Sequence, residues 1–216
     1  MAEHTQPRKR RANGEESRRR ILDAAVEVAT ERGYEGTSIA LVSKKCGLPA
    51  SSIYWHFKDK DELIAAVIER SFDTWLSAWA VPDGDSPLGR ITALATQVAK
   101  ALLDSPDFLR LGLMLTLERR PVEASARRMF LNVREQACRR IDATMREFAP
   151  GLPDESVALL TTYAMAAADG LFIAKEIGGD SVDLVALFEL HARALHDAAM
   201  RLSAPEDRIA ARKDAP

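Results

Sequence analysis

The sequence has only two cysteines, Cys46 and Cys138, which lie far apart in the chain. Their number and spacing exclude a disulfide framework and a structural zinc site. The four histidines are scattered without the spacing of metal ligands, so we expect neither a metal nor a cofactor. No stretch reaches the roughly 18 consecutive apolar residues of a spanning helix, and the first 20 residues are polar. We therefore expect a cytoplasmic protein without a membrane span or a secretory signal.

The sequence also lacks the motifs that carry catalysis. It contains no glycine-rich phosphate loop, no pair of carboxylates with a catalytic spacing and no Ser/His/Asp arrangement. An enzyme is therefore not expected, and an all-α enzyme remains only a remote alternative. The 216 residues are 47% hydrophobic and 29% charged, which is typical of a globular chain.

The charge is distributed unevenly along the chain. The net charge is −2, but residues 1–60 carry a balance of +4 and the remainder a balance of −6. A basic run, Arg8 to Arg11, precedes Asn13-Gly14. An excess of positive charge in the N-terminal residues of an otherwise acidic chain favours a polyanionic partner. An ordinary solvated surface also accounts for a charge excess of this size.

Apolar residues recur at helical spacing from Ser17 onward, and no segment alternates as a strand does. The pattern predicts an all-α fold of about nine helices. Thr37 and Asp59 are candidate N-caps, and Pro49 opens a short helix. The predicted organisation is a flexible basic arm (1–16), a helix-turn-helix domain (17–63), a ligand-binding and dimerisation domain (64–203) and a disordered tail (204–216).

The segment from Thr37 to Leu63 has the spacing of a helix-turn-helix. Two short helices flank Gly47-Leu48, where glycine permits the tight turn. Ile53 and Phe57 are four residues apart and should face the core, which turns the Tyr54-Trp55-His56 run outward. We predict a double-stranded DNA site formed by Thr37, Ser38, Lys44, Ala50, Ser51, Ser52, Tyr54, Trp55, His56 and Lys60.

The roles within this site follow from side-chain chemistry. The hydroxyls of Ser51 and Ser52 can read base edges, whereas Tyr54, His56 and Lys60 suit phosphate contacts. A cation in the first turn of a helix is normally unfavourable, so an anionic partner would account for Lys60. The competing interpretation is that the aromatic run is partly buried packing.

Residues 17–63 resemble the DNA-binding domain of the TetR family of bacterial transcriptional regulators. The matching motifs are Ile21 to Ala25, Gly33 to Ser38, Gly47-Leu48, and Ile53 to Phe57 followed by Lys60 and Leu63. The resemblance implies that Ser38 contacts phosphate and that segment 50–56 reads operator bases. Pro49 and Ala50 depart from the pattern, because the family often has a capping serine in place of Pro49.

The same resemblance implies a homodimer that binds a palindromic operator as a repressor and is released by a small, largely apolar effector. The remainder of the chain resembles the family in layout alone. Apolar and polar candidates for the effector pocket are Trp75, Trp79, Phe108, Met114, Phe130, Tyr163 and Asp169. Ordinary core packing explains these residues position by position, and Asp169 also fits a satisfied buried carboxylate.

The last two predicted helices are candidates for the dimer interface, because small residues on one face allow close helix approach. The candidate interface residues are Ala164, Ala167, Leu171, Leu187, His191 and Leu195. Packing within one chain would explain the large residues equally well. The alternative function is a constitutive, architectural DNA-binding protein without an effector.

Overall fold

The computed structural model describes residues 6–84, 86–117 and 125–203, and within these ranges it contains helices and no strands. The predicted all-α fold is confirmed. The helices are α1 (Gln6–Gly36), α2 (Ile39–Cys46), α3 (Ala50–His56), α4 (Lys60–Ser77), α5 (Pro87–Asp104), α6 (Asp107–Leu117), α7 (Ser125–Phe148), α8 (Asp154–Gly178) and α9 (Leu184–Leu202), with a 3-10 turn at Gly179–Ser181. The predicted tail, 204–216, lies outside the described residues.

Helix α1 begins earlier than the sequence predicts. The predicted flexible arm, 1–16, is wrong for residues 6–16, which are helical. Glu16 and Arg19 form an i,i+3 ion pair of 2.8 Å that supports this part of the helix. Gly14 lies next to the Trp55 ring, and a Cβ added there would sit 3.8 Å from the indole, an ordinary van der Waals distance. Residues 1–5, and the side chains of Arg8 to Arg11, lie outside the described part of the chain.

Gly33 bends the end of α1. Its backbone has φ 67° and ψ −179°, a combination that is essentially restricted to glycine. An added Cβ would lie 3.1 Å from the terminal methyl of Met114, a tight contact with the flexible end of that side chain. The hydroxyl of Thr37 donates to the Gly33 carbonyl at 2.7 Å and stabilises the bend. Glycine is therefore required here by its backbone conformation.

The contacts divide the chain into two compact units. One comprises Met1–Asp73 and Ser105–Val133, and the other Thr74–Asp104 and Arg134–Pro216. Helices α4 and α7 thus contribute residues to both. The first unit is larger than the helix-turn-helix domain predicted at 17–63, because α6 packs on α1 and Ser71 on α4 accepts a 3.1 Å hydrogen bond from the Phe108 amide.

Asp61 connects three helices of the first unit. One carboxylate oxygen accepts the Tyr34 hydroxyl at 3.0 Å and the Ala126 amide at 3.2 Å, and the other accepts the Ser125 amide. Asp61, in the first turn of α4, therefore caps the N-terminus of α7. Burial acts to raise the pKa of the Asp61 carboxyl, but the hydrogen bonds from Ala126, Ser125 and Tyr34 outweigh it and hold this pKa below its usual value.

Asp61→Asn should lower the free energy of unfolding by about 1–2 kcal/mol at pH 7, because the cap loses its charge. The pKa of Asp61 is lower in the folded state than in the unfolded state. Its contribution is therefore complete above the unfolded-state pKa of about 3.9 and disappears as pH falls through the folded-state value. Urea unfolding of both proteins across pH 7 to 3 measures this difference, which should shrink towards low pH. Asp73→Asn, at an exposed position of the same helix, is the control. A difference that is independent of pH would contradict the assignment.

The second unit is built around α5, α8 and α9. Helix α9 packs on both of the others through a stripe that includes Leu184, Phe188, Leu195 and Ala199, all buried. Asp183 caps α9 by accepting the Ala186 amide at 3.0 Å. Arg134 on α7 binds Asp169 on α8 in bidentate fashion, at 2.7 and 2.8 Å. This ion pair fixes the register between the two helices.

Helix α8 has an unusually apolar surface. Segment Asp154–Ser181 is long enough to cross a membrane, and its most apolar 18-residue window has a mean hydropathy of 1.6, yet only 28% of that window is buried. Length and composition alone are weak evidence for a membrane span. The exposed apolar residues follow steps of four and three along the helix and so form one stripe. This stripe consists of Leu159, Tyr163, Ala166, Gly170, Ile173 and Ile177.

Candidate nucleic-acid interface

Helix α2 and the turn after it are fixed at both ends. Ser38, rather than the predicted Thr37, is the N-cap, and its hydroxyl accepts the Leu41 amide at 3.3 Å. Gly47 ends the helix in the left-handed conformation, φ 67° and ψ 23°. The Ser43 hydroxyl donates to the Leu48 carbonyl at 2.7 Å, and Arg20 donates to the Cys46 carbonyl at the same distance. The turn therefore holds α3 at a defined angle to α2.

Helix α3 buries one side and exposes the other. Ile53 is fully buried, and Phe57, just after the helix, is 3% exposed. Pro49 precedes the helix in an extended conformation without a side-chain cap. On the opposite side Tyr54 is 57% and Trp55 is 76% exposed. The predicted outward orientation is confirmed for Tyr54 and Trp55, whereas His56 is half-buried, as the alternative of partly buried packing expects.

The predicted DNA-binding residues differ in exposure. Thr37 is only 2% exposed, and its hydroxyl is used within α1 and its bend, so its placement on the surface is corrected. Ser38, Lys44 and Ser51 are exposed, whereas Ala50 and Ser52 are half-buried at the start of α3. The exposed surface of α3 is therefore polar at its N-terminal end and aromatic towards its C-terminal end.

Lys60 has partners within the chain. Its ammonium group donates to the Tyr34 carbonyl at 3.1 Å, lies 4.3 Å from the centre of the Tyr34 ring and is 3.8 Å from a Glu35 carboxylate oxygen. These contacts stabilise a cation in the first turn of α4, so an external anion is not needed to explain it. The predicted phosphate contact of Lys60 would have to compete with Glu35.

His56 is also held within the chain. Its Nε2 lies 2.7 Å from the Ser17 hydroxyl on α1, and this hydroxyl is 2.9 Å from the Gly14 carbonyl. Burial, together with the charge of Arg18, lowers the pKa of the His56 imidazole, which favours the neutral form near pH 7. A neutral imidazole binds phosphate more weakly than a charged one, so the predicted phosphate contact of His56 is weakened.

Helix α1 also contributes to this surface, which the sequence does not predict. Arg18 lies over the Phe57 ring, 5.5 Å from its centre, and is exposed beside the end of α3. A shallow groove of about 390 Å³ lies between residues 13–17 of α1 and helix α3. The Asn13-Gly14 pair signals a break in the sequence, which concealed this packing. The groove is lined by Asn13, Gly14, Ser17, Ser51, Ser52, Trp55 and His56.

The predicted pocket residues divide between the two units. In the first unit Phe108 and Phe130 are buried, while Met114 is 43% exposed. In the second unit the Trp75 and Trp79 rings meet edge to face at 5.2 Å, and Trp79 donates to the Thr144 hydroxyl at 3.4 Å. Tyr163 is 52% exposed on the α8 stripe. Asp169 is bound by Arg134, so its carboxylate is already satisfied, as the alternative interpretation of this residue holds.

Two of the six predicted dimer residues, Ala164 and Leu195, need correction. Ala164 and Leu195 are 5% and 6% exposed, because they pack against other helices of the same chain, and they do not lie on its surface. Ala167, Leu171, Leu187 and His191 are half-buried. The exposed residues are instead those of the α8 stripe, together with Leu190 and Met200 on α9. Both sides of α8 are apolar, so periodicity alone did not identify the outer one.

The N-terminal part of the chain is similar in sequence to known bacterial regulatory proteins. Residues 21–67 match the model described as "Bacterial regulatory proteins, tetR family". The HTH-type transcriptional repressor KstR of Rhodococcus jostii is 30% identical over 42% of this chain and 43% of that protein. The regulator AcrR of Shigella flexneri is 38% identical over 30% of each chain. The chain thus matches less than half the length of these curated relatives.

Solved structures extend the likeness in fold beyond this part. FadR of Bacillus subtilis, in complex with stearoyl-CoA, matches 83% of this chain and 97% of its own, with a TM-score of 0.69 and 19% identity. A regulator from Aquifex aeolicus gives a TM-score of 0.65 at 23% identity over the same shares. At these identities the likeness establishes the fold alone.

Proposed function

We propose that this chain, whose N-terminal domain belongs to the TetR family of bacterial regulatory proteins, is a DNA-binding transcriptional repressor. It acts as a homodimer on a palindromic operator, in the cytoplasm, and is released by a small, largely apolar effector. The observation that carries the proposal is the outer surface of α3, where Tyr54 and Trp55 are exposed on a helix fixed to its partner by a tight glycine turn.

The chemistry of this surface suits the major groove of DNA. The small residues at the start of α3 permit close approach, and the Ser51 hydroxyl can donate to or accept from a base edge. The Trp55 ring offers an apolar face to a thymine methyl group. Lys44 on α2 and Arg18 on α1 supply cations for phosphates on either side.

A second copy of the chain is the occupant we propose for the α8 stripe. Its larger side chains stand at the two ends of the stripe, whereas Ala166 and Gly170 lie in the middle. Small central residues allow two helices to cross closely, which suits a two-fold interface. The Tyr163 ring lies 5.9 Å from the His191 ring on α9, so the surfaces of the two helices are continuous. Dimerisation would cover the apolar area that otherwise faces water.

An apolar effector is supported by the packing of the second unit. The Trp75–Trp79 pair provides aromatic surface that a ligand could rearrange, and its fluorescence would report on binding. FadR of Bacillus subtilis, a protein of the same fold, is complexed with stearoyl-CoA. Release of DNA requires that the effector prefer the state with low DNA affinity.

The test is a selection of duplexes from a randomised library with the purified full-length protein. We expect an inverted repeat whose half-sites lie about one helical turn apart or a multiple of it. Trp55→Ala should then weaken binding to the selected duplex at least about tenfold. Leu103→Ala, a truncation of another exposed apolar side chain, should leave the affinity unchanged.

Two outcomes would contradict the proposal. Enrichment of no sequence would remove specific DNA binding, and selection of a single asymmetric site would remove the palindromic operator. Release of the duplex is tested with a panel of apolar compounds that includes stearoyl-CoA, followed by tryptophan fluorescence. If none releases the duplex or changes the fluorescence, the constitutive DNA-binding protein becomes the better description.

A further inference from the structure

Trp55 is the most exposed aromatic side chain in the described part of the chain, yet its ring has defined neighbours. The His56 ring approaches it edge-on, with centroids 4.5 Å apart and planes at 87°. On the other side lies Gly14 of α1, where a Cβ would be 3.8 Å from two atoms of the indole. The indole is therefore oriented by groups outside its own backbone, although 76% of the residue is accessible.

The contacts behind Trp55 form a chain of hydrogen bonds with a defined direction. The Ser17 hydroxyl carries one hydrogen and donates it to the Gly14 carbonyl at 2.9 Å. With that hydrogen used, the oxygen can accept from His56, and the tautomer that carries its proton on Nε2 pairs with it across the 2.7 Å contact. Both groups are then hydrogen-bonded. The imidazole plane is thereby fixed, and with it the edge that faces Trp55.

We propose that Ser17 and His56 are positioning residues, which act on DNA recognition by holding the Trp55 indole in its DNA-facing orientation. This rests on the proposed function and changes the role of His56, which acts through Trp55 rather than on a phosphate. An exposed tryptophan without this support would sample several rotamers, and binding would have to order it. Loss of the support should therefore weaken specific binding roughly threefold to tenfold.

A double-mutant cycle on the selected duplex tests the proposal. Ser17→Ala should weaken binding in the wild-type background and have no further effect in the Trp55→Ala background. The dependence of affinity on salt should stay the same, because no phosphate contact is lost. Additive effects of the two substitutions, or a salt slope lower by about 0.9, would overturn the proposal in favour of a direct backbone contact.

Conservative variants separate positioning from a general loss of structure. Ser17→Thr keeps the hydroxyl and His56→Gln keeps a donor, so both should retain most of the affinity that His56→Ala loses. Thr92→Ala is the matched control. Like that of Ser17, the Thr92 hydroxyl donates to a backbone carbonyl of its own helix, in this case that of Leu88 at 2.8 Å. It should leave affinity and specificity unchanged.

The free protein supplies a readout that does not depend on DNA. With 5-fluorotryptophan incorporated, the Trp55 resonance, assigned with Trp55→Phe, should move in Ser17→Ala while those of Trp75 and Trp79 stay in place. An unmoved Trp55 resonance would overturn the proposal even if the operator is real. A shifted resonance in a protein that selects no duplex would instead show that the proposed function has failed.

Discussion

Ala166→Arg will convert the proposed dimer into a folded monomer. Ala166 is exposed in the middle of the α8 stripe, so the arginine fits a single chain but prevents close approach of a second. Arginine is also a good helix former, so α8 itself should not lose stability. Sedimentation velocity should give twice 23.8 kDa for the wild type and 23.8 kDa for the variant.

The effect on DNA binding should be larger than that of any single base contact. Two linked half-sites gain roughly 10²–10⁴ in affinity over one, and the monomer loses this gain. Ala158→Arg is the control, because Ala158 is exposed on the same helix but about 100° away from the stripe. If the Ala166→Arg variant is still a dimer, the interface does not include the middle of the α8 stripe. Binding of the wild type to lipid vesicles, lost in Ala166→Arg, would favour a membrane as the occupant of the stripe.

Gly112→Ala should be strongly destabilising, because it creates the shortest steric contact of any glycine in the described part of the first unit. A Cβ at Gly112 would lie 2.0–2.4 Å from three atoms of the Phe130 ring, and Phe130 is only 1% exposed. The ring has no free space to move into, and overpacking of this kind costs about 1–3 kcal/mol. Alanine gains up to about 1 kcal/mol over glycine in helix propensity, which is too little to compensate.

Thermal unfolding of the variant should shift downwards by about 2–4 °C for each kcal/mol lost. Phe130→Ala removes all three atoms that clash, so the double variant Gly112→Ala/Phe130→Ala should be more stable than the sum of the single effects predicts. Gly151→Ala, with no atom within 4 Å of its added Cβ, should change little. If the effects of the two substitutions on stability are additive, helices α6 and α7 move apart to make room for the added methyl group and the predicted clash does not occur.

The sequence predicts several helix ends, because their signals are local. Asp59 caps α4 as expected, accepting the Glu62 amide at 2.9 Å. Gly47 marks the end of α2, and Pro49 directly precedes α3. The outward face of α3 also follows from two buried positions, Ile53 and Phe57, at helical spacing.

What the sequence does not predict depends on contacts between distant residues. Lys60 looks available for phosphate until its contacts with Tyr34 and Glu35, 26 and 25 residues away, are known. Asp169 looks like a ligand anchor until Arg134 is placed beside it. The two apolar faces of α8 have the same periodicity, and only the packed chain distinguishes the one that faces water.

The cap that Asp61 provides for α7 also has a consequence for the order of folding. Asp61 and Ser125 are 64 residues apart, so their contact closes a long loop, whereas Ser43 and Leu48 within the helix-turn-helix are separated by five. The entropy of loop closure must be overcome before a distant contact contributes, so the turn forms early and the α7 cap late. Substitutions at Asp61 will therefore mainly accelerate unfolding, whereas substitutions in the turn will slow folding.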